Sequence, residues 1–286
     1  MTPVIHIPFV LPASDDELLW CDARFPAEAV GPLPVLLFLH GFKGFKDWGA
    51  FPWVGEELAR RGFYVVTMNF SHNGTEGHGS EFTRLDRFER NTFSREVREA
   101  CDMVSAIAAS RTPHAEKVDS GRIGVIGHSR GGGIALLASE RSPRVVSVAT
   151  WAAVSSFNRY TPAQIERWRS NGVLESKNMR TGQMMRLGLE LLEDLEVNAA
   201  SLDIERAVRS LARPLLVLHG EMDLSVLIEN GRSIASWGSA EKTQFEAVPR
   251  TNHTFGAAHP FGGPGSVLVG VVERTAEFFH HTLAGG

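Results

Sequence analysis

Arg122-Ile-Gly-Val-Ile-Gly127-His-Ser129-Arg-Gly131-Gly-Gly133 is the stretch on which the fold turns. Apolar residues Ile123, Val125 and Ile126 run up to Gly127, a Gly-x-Ser-x-Gly pentapeptide fills 127–131, and a helical run opens at Ile134-Ala135-Leu136-Leu137-Ala138. The pattern predicts a strand, a sharp turn with Ser129 at its apex, and a helix. Such a turn strains the serine backbone and pushes the hydroxyl out of the sheet. Its glycines remove Cβ atoms that would collide within it. The N–H of Arg130, at the helix start, can point at an oxyanion. Taken alone, the pentapeptide also suits an idle Gly-rich strand-to-helix connection, so the rest of the chain has to decide.

Outward from this unit, continuous apolar runs at 34–40, 63–69, 145–150 and 214–219 read as strands buried on both faces. Segments 4–10 and 17–25 read as an antiparallel pair joined by a turn, and 243–248 as the last strand. Helices are expected at 52–61, 92–110, 225–237 and 266–282. Strands alternating with helices predict an α/β fold with a mostly parallel, doubly wound sheet of about eight strands. The polar loop 70–90 is of a length more often functional than idle. Residues 155–210 show no clear strand and three short amphipathic helical stretches, at 162–170, 181–195 and 202–210. They read as a helical cap inserted after the strand at 145–150, dividing the core into 1–154 and 211–286.

A chain of 286 residues, 43% hydrophobic and 22% charged, suits one large α/β domain. A net charge of −4 without a dense Lys/Arg block argues against a nucleic-acid partner. No stretch approaches a membrane span, and the N-terminus lacks a basic region followed by a long apolar run, so a cytoplasmic protein with no membrane partner is expected. Cys21 and Cys101 are too few for a disulfide framework and read as buried small apolar residues. A homodimer is compatible with all of this.

A serine hydroxyl needs a base, best a histidine, and the histidine needs an acid to fix its tautomer. The chain supplies Ser129, then Asp223 in His219-Gly-Glu-Met-Asp223, then His253 in Asn252-His-Thr-Phe255, each just beyond a strand. Asp223 also suits a helix cap, with Glu221 the alternative acid, and His259 is the rival base. His40 and His219 end buried strands and read as turn or hydrogen-bonding residues, and His128 as packing. His72 and His78 lack metal-ligand spacing, so no metal is expected.

With His40-Gly-Phe42-Lys-Gly44 added, the chain resembles the α/β-hydrolase family of serine hydrolases along nearly its whole length. It is most similar to small bacterial carboxylesterases of the cinnamoyl- or feruloyl-esterase and dienelactone-hydrolase kinds, and also to acylaminoacyl-peptidase catalytic domains. The resemblance implies a cofactor-free hydrolase acting on a small-molecule carboxylic ester. It implies catalytic Ser129, Asp223 and His253, with an oxyanion hole from the backbone N–H groups of Phe42 and Arg130. Arg130 departs from the Gln or Met common there and would put a cation near the site. An amidase or peptidase with the same three residues, and a non-catalytic binding protein on the same fold, are the alternatives. Lys43, Trp151, Phe157, Trp168, Met184 and Met185 are candidates to line the substrate pocket. Lys43, Lys46 and Arg130 are candidates for a cationic rim, against the plainer reading of solvated loop charges.

Overall fold

Eight strands form one sheet in a computed structural model that describes residues 2–284. In chain order they are β1 (Val4–Pro12), β2 (Leu18–Pro26), β3 (Leu33–Leu39), β4 (Tyr64–Met68), β5 (Val118–His128), β6 (Val145–Trp151), β9 (Leu215–Gly220) and β10 (Thr243–Val248). Their order across the sheet is β1-β2-β4-β3-β5-β6-β9-β10. β1 and β2 pair antiparallel, β2 meets β4 antiparallel, and every pairing from β4 to β10 is parallel. The expected mostly parallel α/β sheet is therefore present.

The continuous apolar strands divide their side chains between two cores. Val35, Leu37, Leu39, Ile123 and Val125 enter the core under helices α3 (Phe93–Ala108) and α4 (Arg130–Arg141). Leu36, Phe38 and Ile126 enter the opposite core, under α1 (Phe51–Arg60) and α9 (Ser266–Leu283). Both faces are thus covered, which is why these strands lack the polar alternation of a half-wet sheet. α3 starts where the Thr92 hydroxyl accepts from Arg95 N–H, an N-cap closing the long loop after β4. That loop also holds the short helix α2 (Leu85–Glu89). Cys21 is buried and Cys101 half-buried, and both are free thiols.

The region between β6 and β9 differs from the helical expectation. It carries α5 (Pro162–Asn171), α6 (Leu189–Val197) and α7 (Ile204–Ser210), but also an antiparallel hairpin of β7 (Val173–Lys177) and β8 (Met184–Gly188). The expected helix over 181–195 begins only at Leu189. Residues 184–187 alternate exposed and buried, with Met185 and Leu187 inward and Met184 and Arg186 outward. Four residues of Met, Arg and Leu, all good helix formers, ahead of Gly188 carry too short a two-residue period to stand out. Helix α8 (Ile228–Trp237) follows β9.

α3 also buries a carboxyl. Glu99 is fully buried, and accepts hydrogen bonds from the Ser71 N–H at 3.0 Å and the Ser71 hydroxyl, with Arg95 3.9 Å away. Burial outweighs those contacts and pushes its pKa up to about 7. The folded state therefore holds this proton where the unfolded chain has released it, so stability falls as pH rises from about 4 through 7. Glu99→Gln should gain stability relative to wild type by about 1–3 kcal/mol between pH 5 and pH 8. Urea denaturation at the two pH values checks this, and a difference independent of pH would contradict it.

Candidate functional site

β5 ends at His128, Ser129 follows with φ 59° and ψ −121°, and α4 begins at Arg130. Ser129 is thus in a conformation that L-residues rarely adopt. Its main chain is held on both sides: its N–H donates to the Trp151 carbonyl at 2.8 Å, and its carbonyl accepts from Gly132 and Val154 N–H groups at 3.0 and 3.2 Å. The hydroxyl does not cap α4. A Cβ on Gly127 would sit 2.1 Å from the Gly131 carbonyl oxygen, so no other residue closes this turn. The loop after β3 lies against it, since a Cβ on Gly41 would come within 2.8 Å of the Ser129 Cβ.

Asp223 and His253 sit on loops beyond β9 and β10, stitched together by Glu221 N–H to the Val248 carbonyl and Met222 N–H to the Thr251 carbonyl, at 3.0 and 2.9 Å. Asp223 is buried and divides its oxygens between two tasks. Oδ1 accepts from Ser225 and Val226 N–H groups at 2.8 and 2.9 Å, which caps its own turn. Oδ2 accepts from His253 Nδ1 at 2.7 Å. Burial alone would raise the Asp223 pKa, but hydrogen bonds from His219, His253 and the Val226 N–H outweigh it and hold the carboxyl well below the usual carboxylate range. Glu221 is exposed and turns toward the Arg250 N–H.

The remaining histidines near the site have other engagements. His128 is buried, and its Nε2 pairs with the His253 carbonyl at 2.9 Å. Burial, then the neighbouring His253, pull its pKa down to about 3, so the ring is neutral and Nε2 donates. His259 lines a cavity with Ser129, but its Nδ1 accepts from the Gly49 N–H at 2.8 Å, and no carboxylate of the described residues orients it. His219 Nε2 pairs with the Val226 carbonyl at 2.7 Å, and His40 Nδ1 with the Gly41 carbonyl at 2.9 Å. Among the described residues no group of three or more His, Cys, Asp or Glu could hold a metal ion, and no helix is long and apolar enough to cross a membrane.

Phe42 lies just past β3 and Arg130 at the start of α4. Among the described residues neither backbone N–H donates to a protein acceptor. The Arg130 side chain is not solvated. Its guanidinium lies over the rings of Phe42 and Phe93, 4.3 and 4.7 Å from their centroids, and donates to Glu96 Oε1 at 3.3 Å. Glu96 is buried, also bonded by Asn91 Nδ2 at 2.6 Å, and burial raises its pKa.

Two cavities open beside Ser129 and His253. The first, about 420 Å³, is lined among others by Phe42, Phe93, Arg130, Phe157 and Tyr160. The second, about 450 Å³, lies under the β7–β8 hairpin and takes in Lys43, Trp48, Asn178, Met179, Arg180 and His259. Of the expected pocket residues, Phe157 and Lys43 are therefore at the site. Trp151 is not: it faces the α9 side of the sheet, where its Nε1 donates to the Thr275 hydroxyl at 3.0 Å. Trp168 and Met185 are fully buried core residues, and Met184 is exposed outside both cavities. Lys46 does not belong to a rim either, because it is buried in ion pairs with Asp22 and Asp47. Aromatic content marked the right segments, but which strand face carries Trp151 is set by pairing register, which a single apolar run conceals. Phe93, Tyr160 and Arg180 had no motif to mark them.

The Arg130–Glu96 pair yields a stability prediction. Removing one member of a buried pair strands the other charge, at about 3–5 kcal/mol. Arg130→Met should cost that much in chemical denaturation, and Arg130→Met with Glu96→Gln should recover most of it. A double variant as unstable as the single one would contradict the coupling.

Comparison with known proteins places this geometry. The sequence profile of a family described as PET hydrolase-like matches residues 22–166, just over half of the chain. A bis(hydroxyethyl) terephthalate hydrolase of Streptomyces coelicolor is 30% identical over 122 residues, 43% of this chain and 31% of the relative, so the match spans under a third of that protein's length. The esterase domain of a Rhodothermus marinus protein superposes over 98% of this chain and 99% of its own, with a TM-score of 0.64 at 21% identity. Est1E from Butyrivibrio proteoclasticus does so over 97% and 99%, with a TM-score of 0.69 at 18% identity. The fold is thus that of the α/β-hydrolases, and with its elbow, loops and sheet order accounted for, the chain belongs to the PET hydrolase-like family.

Proposed function

We propose that the protein hydrolyses carboxylic esters through an acyl-serine intermediate on Ser129, with His253 as base and Asp223 as its orienting acid. The observation that carries the reading is the 2.7 Å hydrogen bond from His253 Nδ1 to Asp223, on an imidazole that lines both of the cavities Ser129 lines. With Nδ1 committed to the carboxylate, Nε2 is the nitrogen left to take a proton. Ser129 Oγ attacks the ester carbonyl carbon as Nε2 accepts the hydroxyl proton. The carbonyl oxygen becomes an oxyanion and is received by the N–H groups of Phe42 and Arg130, which have no protein acceptor among the described residues. The tetrahedral adduct collapses, the C–O bond to the alcohol breaks, and the imidazolium protonates the leaving alkoxide. Water, deprotonated by His253, then attacks the acyl carbon and releases the acid.

An aromatic ester suits the first cavity, where Phe42, Phe93, Phe157 and Tyr160 face the space beside Ser129. The name of the Streptomyces coelicolor relative, and a structure of Est1E with ferulic acid bound, point to the same class.

A fluorophosphonate probe should label Ser129 in the wild-type protein and not in Ser129→Ala. Ser129→Ala should lower kcat on a p-nitrophenyl ester by at least about 10³-fold, and Asp223→Asn by about 10²–10⁴-fold. The matching aminoacyl anilide should be turned over far more slowly. Unchanged turnover in Ser129→Ala would refute the assignment, and faster anilide than ester cleavage would make the protein an amidase.

A further inference from the structure

The cavity under the β7–β8 hairpin has a charge pattern that ester hydrolysis does not require. Lys43, Lys177 and Arg180 all line it, and no Asp or Glu does. Among the described residues none of the three has a carboxylate within 4.0 Å, whereas Arg24, Lys46, Arg84, Arg87, Arg95 and Arg122 are each paired. This cluster stands out in a chain whose net charge is −4. Asp223 sits behind His253 and is engaged by it, and Glu81, whose charge reaches His259, is not part of the lining.

Two of the three cations also make contacts with neutral groups. Lys43 Nζ donates to the Ser176 hydroxyl and to the Lys177 carbonyl, each at 2.8 Å, and both acceptors are neutral. An ammonium has three N–H bonds, so one is left over. The guanidinium of Arg180 lies over the rings of Phe45 and Phe82, 5.8 Å from each centroid. Both contacts are with neutral rings, and among the described residues its side-chain N–H groups donate to no protein acceptor, which leaves them available to an anion. The first cavity is different: its Arg130 already faces Glu96, and its Arg159 donates to the Ser225 carbonyl. Like charges gathered on one cleft repel unless an anion joins them, and such a cleft raises the local concentration of anionic substrates.

We propose that this cavity is an anion subsite, in which Lys43, Lys177 and Arg180 seat a carboxylate at the far end of the ester substrate. The substrate class is then esters that keep a free carboxylate, such as half-esters of aromatic diacids. The inference rests on the ester-hydrolase reading for its catalytic meaning, but the subsite is a binding property that can be measured without turnover.

The test has two arms. In the first, kcat/KM is measured for monomethyl terephthalate, which carries a carboxylate, and for neutral dimethyl terephthalate. The ratio of the two should fall at least tenfold in Lys177→Gln/Arg180→Gln. It should also fall in the wild type as NaCl rises from low to high concentration, because screening acts on the anion alone. A ratio insensitive to both changes overturns the subsite while leaving Ser129 catalysis standing. In the second arm, benzoate and neutral benzamide are titrated calorimetrically into the wild-type protein and the double variant. A preference for benzoate that the double variant loses supports the subsite even if neither ester is turned over, an outcome that would instead sink the hydrolase reading. Equal affinity for the two ligands overturns the subsite.

Discussion

The constraint on which the rest depends is the backbone of Ser129. A non-glycine residue at φ 59° and ψ −121° costs on the order of 1–3 kcal/mol and persists only where its surroundings over-determine it. Here three main-chain hydrogen bonds do so, two of them to the last residue of β6 and the segment just past it, at Trp151 and Val154. Each contributes about 0.5–1.5 kcal/mol, enough together to offset the strain. The elbow is therefore a property of the β5–β6 pairing and of α4, not of the pentapeptide alone. Its consequence is directional: the hydroxyl is lifted above the carboxyl ends of the parallel strands, where the loops after β3, β9 and β10 also arrive.

What makes those loops one site is a set of short-range ties among them. Gly41 lies so close to Ser129 that a Cβ on it would come within 2.8 Å of the Ser129 Cβ, which sets the loop after β3 against the elbow. His128, immediately before Ser129, donates to the carbonyl of His253, so the elbow and the loop after β10 are tied directly together. Asp223 shows why a capping reading and an acid reading need not compete. A carboxylate has two oxygens, and here one closes the turn while the other holds the imidazole. Its depressed pKa follows from both tasks at once, since each supplies donors to the charged form.

The sheet and the positions of Ser129, Asp223 and His253 were legible because local and global signals agree there. Apolar runs such as Val35–Leu39 are long enough to read, and their two-sided burial follows from helices on both faces. The β7–β8 hairpin was not legible, because Met184-Met-Arg-Leu187 has the residues of a helix and the strand offers only five positions in which to show its period. The pocket was half legible. Phe157 follows β6 into the site, but Trp151, the last residue of that strand, points through the sheet to Thr275. Successive strand residues face opposite ways, so one step in register separates a cavity residue from a core residue.

The same logic of partners explains the charges near the site. Arg130 and Lys46 were both visible as cations in sequence, yet neither offers a free charge, since each is buried and must be compensated to be buried at all. Lys43 can be half-buried beside the site without a carboxylate only because the hairpin lends it a hydroxyl and a carbonyl. The insertion thereby does more than lie beside the cavity. It holds Lys43, the residue next to Phe42, in the loop that follows β3. A segment that the sequence marked only as an interruption of the strand rhythm is thus joined to the loop after β3 that packs against the elbow. Changes in the hairpin can alter the shape of the cavity beside Ser129 and how firmly the loop after β3 is held, through the same two hydrogen bonds.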